Sequence, residues 1–185
     1  MAHLVCDFNP ADRITVDTIG PPGKRVFFLQ ASQGTLVVTL VFEKEQARAL
    51  ASGLFQLLDQ LQAEHDEDKD EVKAILASQM TPQQPVKPEF RIGQIGIGFD
   101  DRSGYAAVIA YELTAEKDQD IGVARFWITR EQARALAQHA LEVVKSGRPL
   151  CPLCNQPMDP EGHFCPRSNG HGKLTTISGL NFDEA

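Results

Sequence analysis

The sequence predicts an α+β fold made of two halves of like design, each strand-strand-strand-helix, with a small cysteine-rich tail behind them. Three observations predict it. The stretch Glu45-Gln46-Ala47-Arg48-Ala49-Leu50-Ala51 returns letter for letter as Glu131-Gln132-Ala133-Arg134-Ala135-Leu136-Ala137. Each copy follows an apolar run, residues 36–42 and 123–128, and each opens a helical pattern. Three of the four cysteines stand together near the end of the chain, which sets that region apart from the repeated body.

At 185 residues the chain can bury one good core, or one core with a small appendage. A formal net charge of −7 argues against a broad nucleic-acid footprint. Lys145, Arg148, Arg167 and Lys173 around the tail are too few to reverse that. No apolar run approaches the length of a membrane span. Residues 1–12 show neither a basic n-region nor an apolar h-region, so no signal peptide and no lipid-anchored Cys6 are expected. A reducing cytoplasm is the expected setting, and cysteines clustered in a tail then point to metal ligation rather than disulfides.

The expected body covers residues 1–148, with halves at about 1–80 and 89–148. In the first half, residues 13–19 alternate loosely and end at the turn Gly20-Pro21-Pro22-Gly23. Residues 25–30 are β-branched and aromatic, residues 31–34 form a turn, and residues 35–42 form a longer strand. That strand is apolar at nearly every position, which predicts cover on both faces. A helix over about residues 44–65 places Ala47, Leu50, Leu54, Leu57, Leu58 and Leu61 on one stripe, with Glu45 and Arg48 able to pair outside. The acidic run Asp66-Glu67-Asp68-Lys69-Asp70-Glu71 reads as a solvated helix connection. It lacks the glycine and spaced ligands of a calcium loop, and it leads into a short helix with Val72, Ile75 and Leu76 inward. Three prolines and two glutamines over residues 81–88 predict an extended linker.

The second half restarts the pattern: strands over residues 90–99, 105–113 and 123–128, then a helix to about Lys145. Thr129 and Gln132 form a capping box for that helix, while Glu43 in the first copy makes a weaker cap. Gly147 and Pro149 stop it. Two such halves predict one domain of about six antiparallel strands with both long helices on one side, related by a pseudo-twofold axis. The repeated stretch is thus a helix start, with its Arg and Glu as surface partners.

Candidate chemistry in the body is thin. Gly93, Gly96 and Gly98 lie inside a strand rather than at a strand-to-helix turn, so they read as a face against which backbone or helix packs closely rather than as a phosphate loop. A small-ligand groove along that face is the remaining option. His139 sits beside the apolar stripe of its helix, and Cys6 reads as an isolated thiol. No catalytic constellation is visible.

The tail carries the sharper signal. Cys151-Pro152-Leu153-Cys154 is a C-x-x-C knuckle, followed by His163, Cys165 and His171. A tetrahedral zinc site draws two ligands from the knuckle, Cys165 as the third, and His163 or His171 as the fourth. His163 is favoured, because it and Cys165 fall on the same side of an extended segment. Residues 149–173 hold too few apolar side chains for a core, so a bound metal would supply most of their folding energy. With four protein ligands the site is closed and structural.

The residues Cys151-Pro-Leu-Cys154 and Asp159-Pro-Glu-Gly-His163-Phe-Cys165-Pro-Arg-Ser-Asn169-Gly170 resemble the C-terminal signature of a bacterial family of unknown function, domain of unknown function 3090. The resemblance extends over the body and ends at about Lys173; residues 174–185 are expected to be a mobile tail. It implies His163 as the fourth ligand, since the family pattern keeps that histidine and closes with tyrosine where His171 stands here. It also implies an association with a histidine-phosphatase-like and a kinase-like protein, and no defined activity. The expected function is therefore a non-enzymatic binding or adaptor module with structural zinc and a protein partner. The other reading is an enzyme or sensor for a phosphorylated small molecule at the seam near Gly96 and Gly98.

Overall fold

The computed structural model describes residues 2–21, 24–61, 69–114, 121–146, 151–154, 158, 165 and 167. The chain divides into two compact units, Met1–Gly147 and Arg148–Ala185. The α+β class holds. The first unit contains strands β1 (Ala2–Phe8), β2 (Arg13–Ile19), β3 (Val26–Gln33) and β4 (Leu36–Phe42), then helices α1 (Lys44–Leu61) and α2 (Lys69–Ser78). Strands β5 (Pro88–Asp100), β6 (Tyr105–Glu112) and β7 (Ile121–Ile128) and helix α3 (Arg130–Lys145) complete it.

The expectation of six antiparallel strands is corrected on two counts. Among the described residues there are seven strands, in the order β1-β7-β6-β5-β4-β3-β2. Two of the pairings, β1 with β7 and β4 with β5, are parallel. In β1, His3 and Asp7 interrupt an otherwise short apolar run, and its partner lies at the far end of the body, so local pattern gives no strand signal there.

The ends of the sheet are joined through the chain. Residues 9–12 alone link β1 to β2, the two outermost strands. In a flat sheet those strands would lie about 29 Å apart, six spacings of about 4.8 Å. Five Cα steps reach only about 18 Å. The sheet must therefore curl. The link is pinned on both sides, with Ala11 N–H donating to Trp127 O of β7 and Asp12 N–H donating to Ser32 O of β3, each at 2.8 Å. Strand β5 turns a similar corner: its first residues pair with β4, and after a register shift between Ile92 and Gln94 the rest pairs with β6. Strand β1 thus lies parallel to β7, and the first segment of β5 lies parallel to β4.

The repeated glutamine holds these two corners. Gln132 Oε1 accepts from Thr129 N–H at 3.0 Å, closing the capping box, while its Nε2 donates to Ala11 O and Asp12 O at 3.1 and 3.2 Å. Gln46 Oε1 accepts from Glu43 N–H at 2.8 Å, and its Nε2 donates to Ile92 O and Gly93 O at 3.3 and 3.2 Å. Each glutamine accepts from the backbone at its own helix start and donates to a bend elsewhere in the sheet, Gln132 to residues 11–12 and Gln46 to residues 92–93. Glu43 has no part in capping through its carboxylate, which pairs with Arg91.

Helices α1 and α3 share one core with the sheet, built from side chains such as Phe8, Ile14, Leu29, Leu40, Leu54, Val108, Phe126 and Leu136. Gly53 lets α1 close on β5, since a Cβ there would stand 2.6 Å from Ile97 Cδ1. Val72 and Ile75 of α2, with Met80, pack on Ala135 of α3. Strand β4 departs from the expected two-sided cover: Leu36 and Val37 are exposed, because only its second half lies beneath the core. The expected linker over residues 81–88 is likewise no free spacer. Its start is fastened across the polar face of β2 and β3, with Arg13 donating to Thr81 O at 2.9 Å and Gln30 exchanging two hydrogen bonds with the Gln83 backbone.

Candidate metal centre

The second unit carries the only metal-competent cluster among the described residues, Cys151, Cys154 and Cys165. The sequence builds it locally. Pro152 fixes one backbone dihedral in the C-x-x-C turn, and the guanidinium of Arg167 donates to Leu153 O at 2.9 Å, holding the turn from outside. Cys151 and Cys165 are buried and Cys154 is half-buried. The three Sγ atoms lie within 4.8 Å of one another, and Cys151 Sγ stands 3.8 Å from Cys165 Sγ. No disulfide joins any of the four cysteines. Three thiols converging from two short segments form a cluster that could hold a metal ion. His163 and His171, the two expected candidates for the fourth ligand, lie outside the described residues, as do residues 62–68 of the acidic connection and residues 168–185 of the tail.

The body's candidates lie in the first unit. Cys6 faces the core of the first unit, and burial pushes its thiol up to about 11. A thiol held protonated in that way is a poor nucleophile and a poor ligand at neutral pH. His139 lies at the edge of α3 with Nε2 buried and unpartnered among the described residues. Gly98 looks onto open space, and a Cβ at Gly96 would meet only ordinary contacts near Ile109. The close-packing account of those two glycines is therefore corrected; it holds at Gly93, where a Cβ would stand 3.0 Å from Leu113 Cα. Arg134 lies over the Phe55 ring at 5.4 Å, and Arg130 lies over Phe99 at 5.2 Å, so both are used to join α3 to the elements beside it. Near the glycine strand, Asp100 is held below its usual range by the Ser103 hydroxyl and the Arg102 backbone N–H, which makes it a turn-closing group.

Sequence reasoning found Gln132 in its capping box but missed the bonds that Gln46 and Gln132 donate to distant backbone. Their signal was present, since an uncharged polar residue kept at one place in both copies, on a helix that must bury its first turn, needs a partner.

Residues 6–165 match the family described as Protein of unknown function (DUF3090). No curated protein and no solved structure matches the chain. The matched span runs from β1 through the whole body and takes in Cys151, Cys154 and Cys165. The chain is a member of this family of proteins of unknown function.

Proposed function

We propose that the protein is a non-enzymatic binding or adaptor module, in which a body of two duplicated halves carries a zinc-ribbon-like unit with a structural zinc ion. The observation that carries this reading is the cysteine geometry. Two thiolates on a tetrahedral zinc, with Zn–S about 2.3 Å, stand about 3.8 Å apart. That is the Cys151–Cys165 separation. Cys151, Cys154 and Cys165 would hold the ion, with His163 as fourth ligand and His171 as its alternative. Three thiolates and a neutral imidazole leave the centre with a net charge of about −1, and four protein ligands leave no position for a reacting water. The thiol ligands fit a reducing compartment such as the cytoplasm, and no described helix is long and apolar enough to cross a membrane.

The role of the ribbon would be to present a surface to a protein partner, of the histidine-phosphatase-like or kinase-like kind that the family association implies. Nucleic acid is a poor candidate against a net charge of −7. The duplication is supported by the reciprocal parallel pairings and by the matched roles of Gln46 and Gln132. The other reading, a site for a phosphorylated small molecule along Gly96 and Gly98, has less behind it. Those residues pair with Ile109 and Ala107 in an antiparallel ladder, and no helix N-terminus adjoins them in sequence.

Elemental analysis of the purified full chain tests the metal: about one zinc per chain is expected, and loss of most of it in Cys154→Ser. Affinity capture from the native host tests the role. A partner set that Cys154→Ser retains in full would sink the docking function of the ribbon, and an apo wild type would sink the metal.

A further inference from the structure

The outer face of β2 and β3 is polar yet covered: Thr15, Gln30 and Ser32 are each no more than 4% exposed. The chain leaving α2 forms the cover. Besides the bonds at Thr81 and Gln83, the Thr15 hydroxyl donates to Met80 O at 2.7 Å and Arg13 Nη2 donates to Gln79 O at 3.2 Å. Sheet and cover do not close completely. A small cleft of about 10 Å³ remains between them, walled by Arg13, Thr15, Gln30, Ser32, Gln79 and Gln83. Gln79 Oε1 is buried and accepts no hydrogen bond from any described residue. A buried amide oxygen calls for a hydrogen-bond donor.

We propose that this cleft is a binding site for one ordered water molecule, which donates to Gln79 Oε1 and accepts from the Arg13 guanidinium or the Ser32 hydroxyl. The wall chemistry selects water over other small occupants. An acceptor oxygen faces any anion that Arg13 would attract, and no carboxylate is present to hold a cation. The narrow space admits a water-sized molecule with two to four polar partners, as buried waters require. The water would complete the fastening of residues 79–83 to the sheet and so fix the path by which the chain passes from α2 to β5.

A crystal structure of the full chain, solved to a resolution that shows waters, tests the site. The expected result is density for a water within about 3.2 Å of Gln79 Oε1, present in the wild type and lost in Gln79→Met. In solution, nuclear Overhauser contacts of long-lived water to the Gln79 side-chain amide and the Gln83 backbone amide read the same site in the wild type, without a variant. A dry cleft, a Gln79 side chain turned out to solvent, a buffer anion seated on Arg13, or only fast-exchanging water would each overturn the proposal.

Discussion

The replacement Gln132→Met probes the corner of the fold most directly. Methionine nearly preserves volume and flexibility, so the change removes polar contacts and creates little cavity. Three hydrogen bonds are lost: to Ala11 O, to Asp12 O and from Thr129 N–H. Gln132 is only 7% exposed, so water cannot take over these partners. At about 1 kcal/mol net for each bond the loss is about 3 kcal/mol. The same change at Gln46 removes the matching set of bonds, but from a half-exposed position where solvent restores part of them. There the expected loss is about 1 kcal/mol. Urea unfolding can be followed through Trp127, the single tryptophan, whose indole N–H donates to Asp7 of β1 at 2.9 Å and so reports on closure of the sheet. The Gln132→Met midpoint should fall with an unchanged slope, and Tm should drop by roughly 6–12 °C. Equal losses at the two positions, or a loss at Gln132 below about 1 kcal/mol, would refute the corner-tie account.

Gly20 has φ +105° and a Cβ there would stand 2.7 Å from Lys24 O, so Gly20→Ala should cost about 2–3 kcal/mol. Gly34, at φ +58° with open space around it, should cost only about 1 kcal/mol, and urea midpoints of the two variants separate the cases. For Cys6, the folded state holds the proton from its ordinary value of 9.0 up to about 11. Its contribution to stability is therefore present below pH 9 and lost as pH rises toward 11. The Tm of the wild type should decline relative to Cys6→Ala across that window, and alkylation of Cys6 at pH 8 should run roughly a hundredfold slower than that of an exposed thiol. Removal of metal by a strong chelator, or by acid that protonates the thiolates, should open residues 148–185 to limited proteolysis, and added zinc should restore protection.

Where sequence and structure agree, the determining interactions are short-range. Strand β2 has the bounds that its alternation and the following glycine turn predict, and α3 starts at the Thr129–Gln132 box. The metal-competent cysteines are legible for the same reason, since Cys151 and Cys154 share one turn and Cys165 lies eleven residues on. The failures all involve distant partners. Nothing in Ala2–Phe8 announces a parallel neighbour at Ile121–Ile128, and nothing in the proline-bearing stretch after Ser78 announces Thr15 and Gln30 beneath it. Strand β4 misled through composition: Leu36 and Val37 match the rest of the run chemically, yet they extend past the helices that bury the remainder.

The parallel pairing of β1 with β7 also has a consequence during synthesis. β1 emerges from the ribosome first, but its partner is the last strand of the body to be made. At about 5–20 residues per second, the nascent strand waits roughly 6–24 s for that partner. Meanwhile Leu4, Val5 and Phe8 lack their place in the sheet, and β2 to β4 can assemble with α1 as a local meander. Closure of the fold is thus a late event set by the arrival of β7, and an early chaperone would act on β1 while it is still alone.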